Sequence, residues 1–165
     1  MILATALTCL AMNVYMEARG EPITGQYAVA QVTMRRAHGE SDKVCEVVMA
    51  SKQFSWTNGK VVRVRGGLFV LKSKFLPKDK VAWAIAKGIA DNTLNHRGEM
   101  PDYSNGAMFY HASYVSPKWS WNMRVTSLIG RHIFYTKGQN DKSPMTKWHF
   151  FNWRRHDDKT VWNCF

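Results

Sequence analysis

Residues 3–22 read LATALTCLAMNVYMEARGEP, and this stretch sets how the fold begins. Apolar side chains recur in it at helical spacing, at Leu3, Leu7, Leu10, Ala11 and Val14. The periodicity predicts a helix with a buried face over residues 3–17. Glycine and proline in residues 19–22 then end the helix.

Glu17 stands at the end of this apolar stripe. It lies about 20° from Leu10 around the helix axis, because seven positions make almost two full turns. A carboxyl group on that face loses hydration on folding, so its pKa should rise. A raised pKa suits a general acid that works near neutral pH. The alternative is an ordinary helix-end carboxylate that Arg19 neutralises, and the spacing alone leaves both open.

The rest of the chain mixes helical and strand patterns. We expect helices over residues 24–37, 42–50 and 79–95, a loop over 53–59, a hairpin over 61–74 around Gly66-Gly67, and paired aromatic strands over 107–114 and 132–136. The predicted class is therefore α+β, mostly helical, with a small antiparallel sheet.

Length and charge bound the function. A chain of 165 residues is expected to form one domain with a substantial core. Its net charge of +11, from 23 Lys and Arg against 12 Asp and Glu, implies a polyanionic partner. Nucleic acid, an anionic membrane and an acidic cell envelope all remain open on charge alone.

The cysteines and the first residues give expectations about disulfide bonds and about a signal peptide. Cys9, Cys45 and Cys164 are odd in number and form no C-x-x-C pair, so neither a zinc ribbon nor a disulfide framework is indicated. We expect Cys9 and Cys45 to be reduced, with a Cys45–Cys164 bridge as the alternative. Residues 1–16 are apolar but lack the basic region and cleavage site of a signal peptide, so we expect them to belong to the folded domain.

Separated blocks of sequence resemble one known family. In chain order they are EARGEP (17–22), GQYAVAQV (25–32), QFSW (53–56), AMFYHA (107–112), PKW (117–119) and IGRHIFY (129–135). Together they resemble the SleB/CwlJ-type cell-wall hydrolases, which include spore-cortex lytic enzymes and related phage endolysins. The resemblance covers about residues 8–136. The tail after residue 137, rich in aromatic and basic side chains, has no counterpart in it.

The resemblance implies a fold, a substrate and a catalytic residue. The fold would be lysozyme-like, as in lytic transglycosylases, with a helical lobe beside a small sheet and a groove between them. The substrate would be the peptidoglycan strand of alternating N-acetylmuramic acid and N-acetylglucosamine. The first Glu of the EARGEP block, Glu17, would be the catalytic acid, and no cofactor or metal is expected. A phage-encoded enzyme would be made in the host cytoplasm and would reach the wall after release, as a monomer.

The remaining blocks predict residues that line the groove. The expected substrate contacts are Glu21, Gln53, Ser55, Trp56, Tyr110, His111 and Trp119, although packing explains each aromatic residue equally well. Tyr110 and His111 should point to opposite faces of their strand, so at most one of them meets the sugar directly. We expect His132 to pack inside the sheet and Glu21 to lie near Arg19.

The sequence leaves three functions to compare. Hydrolysis usually needs two carboxyl groups, and neither Glu99 nor Asp102 is compelling as the second, so a lytic transglycosylase that needs only Glu17 is favoured. A zinc amidase would have to assemble Glu17, His111 and His132 from distant segments. A nucleic-acid-binding protein would use the aromatic and basic residues 148–155 and the Arg63/Arg65 hairpin, but no nucleic-acid-binding signature is present and we expect no such partner.

Overall fold

Helices and two small sheets make up the computed structural model, which confirms the α+β class. The structure describes residues 2–50, 53–57, 61–63, 69–72, 76–96 and 98–138. In this part of the chain the helices are α1 (Ala6–Ala18), α2 (Ile23–Arg36), α3 (Val44–Met49) and α4 (Lys80–Asn95), and the strands are β1 (Ile2–Leu3), β2 (Val61–Arg63), β3 (Phe69–Leu71), β4 (Phe109–Ala112), β5 (Arg124–Ile129) and β6 (His132–Thr136). None of these helices is long and apolar enough to cross a membrane.

The first helix, α1, lies at the centre of the helical part and packs against the other three helices. All residues from Cys9 to Tyr15 are buried, which is the pattern of a helix surrounded by protein. The helix begins at Ala6, three residues later than predicted, because the Thr5 side chain accepts a hydrogen bond from the Thr8 amide (3.2 Å) and caps it. Ile2–Leu3 instead forms the short strand β1.

A disulfide between Cys9 and Cys45 joins α1 to α3. The expectation that both thiols are reduced is therefore wrong, and so is the alternative pairing of Cys45 with Cys164. The packing of α3 on α1 brings together two residues that are 36 positions apart, with their Cα atoms at 5.3 Å, a normal spacing for a disulfide. Sequence spacing alone does not reveal that contact.

The first sheet has the strand order β1-β3-β2 and is antiparallel. Pairing of Val61–Arg63 with Phe69–Leu71 confirms the predicted hairpin, while its Gly66-Gly67 turn lies outside the described residues. The predictions for residues 139–165 also fall outside them.

The second sheet has the order β4-β6-β5, and its two faces have different neighbours. Strand alternation places Tyr110, His132 and Phe134 on one face, where their rings contact one another. His111 and Tyr135 lie on the opposite face, which Trp119 covers from a short 3-10 helix, Lys118–Asn122.

Strand β5 was not predicted from the sequence. It is an edge strand whose register shifts between Val125 and Ser127, and a shift of this kind breaks the alternation that identifies strands. Val125 and Leu128 are exposed, so the strand also lacks a buried apolar face that would mark it.

Candidate active site

Glu17 lies in the last turn of α1 and is only 8% exposed. Its Oε2 atom has no hydrogen-bond partner among the described residues. Burial in this environment raises the pKa of Glu17 from 4.5 to about 8, because the charged form loses its hydration. The side chain therefore holds its proton at neutral pH, as the apolar stripe of α1 predicts.

Arg19 does not neutralise Glu17. Its guanidinium lies over the ring of Tyr15, 5.0 Å from the centroid, and in the described part of the chain Glu17 has no ion pair. The Tyr15 ring is itself fixed, since its hydroxyl accepts a hydrogen bond from the Asp79 amide (3.2 Å) and the ring packs edge-on against Trp83. The structure thus favours the proton donor over the ordinary helix-end carboxylate.

Glu21 lies in the turn between α1 and α2 and is bound by Arg131. Oε2 accepts a hydrogen bond from the Arg131 amide (2.8 Å), and Oε1 accepts one from Arg131 Nε (3.0 Å). Burial alone would raise the pKa of Glu21, but these hydrogen bonds, with the charges of His132 and Arg131, lower it below the ordinary value. Glu21 is therefore an ionised carboxylate with both oxygens occupied. The arginine that pairs with Glu21 is Arg131, while the Arg19 guanidinium lies over Tyr15.

Glycines allow the β5–β6 turn to approach this carboxylate closely. Gly130 has φ of +56°, and a Cβ atom placed on it would lie 2.1 Å from Glu21 Oε2 and 2.8 Å from Pro22 Cδ. A Cβ atom placed on Gly25 would likewise lie 3.3 Å from Ile129 Cγ2. The end of α1, the start of α2 and the β5–β6 turn therefore meet with no room for further side chains.

The other two acidic candidates are engaged elsewhere. Asp102 forms an ion pair with Arg35 (2.7 Å) and accepts hydrogen bonds from Ser104 and the Gly106 amide (2.7 Å). Burial would raise the pKa of Asp102, but these partners lower it. Glu99 is exposed and contacts His96 (3.3 Å). Asp102 thus shapes its own loop, and Glu99 faces solvent.

The QFSW block is packed against α2 and its own aromatic neighbour. Gln53 is buried, and its Oε1 accepts a hydrogen bond from Arg36 Nη2 (2.5 Å). Trp56 is 6% exposed and stacks on Phe54, with ring centroids 6.4 Å apart. Ser55 lies in the same 3-10 turn, Ser55–Thr57. In this conformation Trp56 has little free ring surface.

Tyr110 and His111 point to opposite faces of the second sheet, as strand alternation predicts. The Tyr110 ring packs edge-on against His132, with centroids 5.4 Å apart. His111 lies on the other face, beside Trp119. Its Nδ1 atom is 2.9 Å from the Ala112 carbonyl oxygen, and its Nε2 atom is 2.8 Å from the Tyr135 hydroxyl. A carbonyl only accepts, so Nδ1 carries the proton and the Tyr135 hydroxyl donates to Nε2.

This arrangement bears on the amidase alternative. His111 and His132 lie on opposite faces of one sheet, so they cannot bind one metal ion together with Glu17. His132 is buried, and burial lowers its pKa despite the nearby Glu21 carboxylate. Among the described residues no group of three His, Cys, Asp or Glu side chains has the arrangement of a metal site.

One cavity of about 550 Å³ lies away from Glu17. The residues that line it come from the second half of α2, the end of α4, the 100–108 segment and the end of β6: Gln31, Met34, Arg35, His38, Gly39, Thr93, Met100, Asp102, Gly106, Met108 and Thr136. Glu21 lies beyond the opposite end of α2. This cavity is therefore not the place where a substrate would meet Glu17.

The sequence predicts Glu17 and Glu21 as site residues but does not single out Arg131 or Tyr135. Arg131 binds both oxygens of Glu21, and Tyr135 fixes the His111 ring. Both lie inside the quoted IGRHIFY block, so a signal was present. The sequence could not show which residues they contact.

Comparison with known protein families identifies the class of this chain, the cell wall hydrolases. The model of the cell wall hydrolase family matches residues 20–135, and the chain belongs to this family. A spore cortex-lytic enzyme of Oceanobacillus iheyensis is 30% identical over 127 residues, which are 76% of this chain and 39% of that protein. These two findings confirm the resemblance to the SleB/CwlJ-type hydrolases.

The extent of the match bears on the site. The chain spans about two fifths of the length of that relative. The family match begins three residues after Glu17, so the role of Glu17 depends on the EARGEP block and on the geometry above. No solved structure matches the chain significantly.

Proposed function

We propose that the protein cleaves the bond between N-acetylmuramic acid and N-acetylglucosamine in peptidoglycan, as a lytic transglycosylase with Glu17 as its single catalytic acid and base. The observation that carries the proposal is a buried carboxyl group whose pKa of about 8 keeps it protonated. Membership of the cell wall hydrolase family and the spore cortex-lytic relative support peptidoglycan as the substrate.

The mechanism uses one carboxyl group twice. Glu17 first donates its proton to the glycosidic oxygen, so that the C1–O bond of the muramic residue breaks and the leaving sugar departs as an alcohol. The resulting carboxylate then takes the proton of the 6-hydroxyl of the same muramic residue. The 6-oxygen attacks C1, a 1,6-anhydro ring forms, and Glu17 is protonated again without any use of water.

The state of Glu21 favours this route over hydrolysis. A hydrolase usually needs a second carboxylate as nucleophile or base, about 5–9.5 Å from the acid. Glu21 is the carboxylate nearest in sequence, but Arg131 binds both of its oxygens. A carboxylate that accepts two such hydrogen bonds is a poor base, because its proton affinity is lowered.

The net charge of +11 supports an acidic envelope as the wider partner of this domain. Phosphate and carboxylate groups of an envelope would attract such a protein, and salt would screen the attraction. Action as a monomeric phage endolysin that reaches the wall after release remains part of the proposal, and so does the absence of a nucleic-acid partner.

Product analysis of digested sacculi tests the proposal. Wild type should release fragments with anhydro-muramic ends, and Glu17→Gln should lower the rate by about 10²–10⁴-fold, the usual contribution of a general acid. Glu99→Gln, which removes an exposed carboxylate, is the matched control and should keep the wild-type rate. Reducing muramic ends in place of anhydro ends would reject the transglycosylase, and full lysis by Glu17→Gln would reject the site.

A further inference from the structure

Two sets of side-chain contacts link the second sheet to α2. At the start of α2, Glu21 binds Arg131 and Gly25 packs on Ile129. Further along, Gln31 and Arg35 bind the 101–107 segment, which in turn contacts strand β5. Glu21 and Arg35 are about 20 Å apart along the helix direction at 1.5 Å per residue. Only the first set of contacts lies next to the last turn of α1, which carries Glu17.

The hydrogen-bonding groups of Glu21 are all used. Its amide donates to the Ala18 carbonyl (2.9 Å), and its own carbonyl accepts from Gln26 Nε2 (3.0 Å). The two carboxylate oxygens bind Arg131, and the side chain is 5% exposed. One residue therefore connects the end of α1, the first turn of α2 and the β5–β6 turn.

We infer that the bridge between Glu21 and Arg131 positions Glu17, so that Glu21 is a positioning residue for the reaction and not its second carboxylate. The inference rests on the proposed role of Glu17 as the acid. Glu17 lies one helical turn before Glu21, in the last turn of α1, where helices fray. The bridge prevents this turn from fraying, and it keeps water away from the Glu17 carboxyl group.

The charges around this turn support that role. Arg131 and His132 face Glu21, and the Arg19 guanidinium lies over Tyr15. Burial is the cause of the raised pKa of Glu17, with no charged partner contributing. Any opening that admits water to Glu17 should therefore lower its pKa toward 4.5 and leave less of the protonated acid at neutral pH.

The test compares Glu21→Gln with Asp102→Asn. Each variant removes one carboxylate that binds an arginine, the first beside Glu17 and the second at the other end of α2. The rate of lysis of sacculi is measured from pH 5 to pH 9, and thermal unfolding shows whether each variant is folded. Because the acid must be protonated to work, wild-type activity should fall as pH rises through about 8.

Glu21→Gln should lower the rate by about 10–100-fold, the effect of a misplaced catalytic group, and should move the alkaline midpoint down from about 8. Asp102→Asn should leave that midpoint in place. Arg131→Ala keeps the backbone half of the bridge, so it should shift the midpoint in the same direction by less, and it serves if Glu21→Gln does not fold.

The outcomes separate this inference from the proposed function. If Glu21→Gln and Arg131→Ala keep the wild-type midpoint and match Asp102→Asn in rate, the bridge is only structural and the inference fails. If Glu17→Gln lyses sacculi normally, the proposed function fails first. An inactive Glu17→Gln together with a normal Glu21→Gln overturns the positioning role alone.

Discussion

Glu17→Gln should be more stable than wild type, and the difference in unfolding free energy should grow as the pH rises. Glutamine has nearly the shape of the protonated carboxyl group but never ionises. The pKa of Glu17 is about 8 in the folded protein, against 4.5 as the ordinary value that applies to the unfolded chain. The difference between the two proteins should therefore develop between pH 4.5 and pH 8.

The sign and size follow from proton linkage. Well below pH 4.5 the carboxyl group is protonated in both states, so its ionisation adds no difference between them. Above that pH the unfolded chain releases the proton while the folded protein keeps it, so wild type loses about 1.4 kcal/mol of unfolding free energy per pH unit. The accumulated loss is about 3 kcal/mol at pH 7 and levels off near about 5 kcal/mol above pH 8. Glu17→Gln does not suffer this loss.

Urea unfolding of wild type and Glu17→Gln at a series of pH values measures the difference. We expect it to grow by about 3 kcal/mol from pH 4.5 to pH 7. Glu46→Gln controls for the loss of one negative charge, because Glu46 is exposed on α3. A difference between wild type and Glu17→Gln that stays constant over this range would show that Glu17 is hydrated, and the argument for a protonated acid would fail.

Three further predictions concern stability. Reduction of the Cys9–Cys45 disulfide should lower the unfolding free energy by about 3–4 kcal/mol, the loop-entropy value for a 36-residue separation, as measured by urea unfolding with and without reductant. Gly130→Ala should cost more than Gly106→Ala in thermal unfolding. Both residues have positive φ, but only at Gly130 would the added methyl group collide with a Glu21 carboxylate oxygen; equal losses would show that the turn can move away. Gly88→Ala on α4 should raise the unfolding free energy by about 0.5–1 kcal/mol, because the added methyl group meets no atom within 4 Å and alanine favours the helix; no gain would contradict the open space there.

Local patterns predicted the helices and the burial of Glu17 well. The apolar spacing of residues 3–17 placed α1 and put Glu17 on its buried face, and the structure agrees on both points. Helix α4 begins within one residue of its predicted start, because Asp79 caps it by accepting a hydrogen bond from the Ala82 amide. These features depend on residues a few positions apart in the chain, so the sequence alone is enough to predict them.

Long-range contacts could not be predicted in the same way. The Cys9–Cys45 disulfide and the Glu21–Arg131 bridge join residues 36 and 110 positions apart, and no spacing rule connects them. Strand β5 escaped because its register shift breaks the alternation of the strand. The sequence therefore predicts candidate site residues such as Glu17, and the fold was needed to show the contacts of Glu21 and Arg131.

Helix α1 carries opposing effects at its two ends. Near its end, burial of Glu17 costs about 3 kcal/mol at pH 7 by linkage, a large fraction of the 5–15 kcal/mol that usually separates folded from unfolded chains. Near its start, the disulfide at Cys9 contributes a stabilisation of about the same size. The two sites are about 12 Å apart along the helix, far enough for their effects to add. The helix can therefore hold an unfavourable protonated carboxyl group in place because a covalent link at its other end offsets that cost.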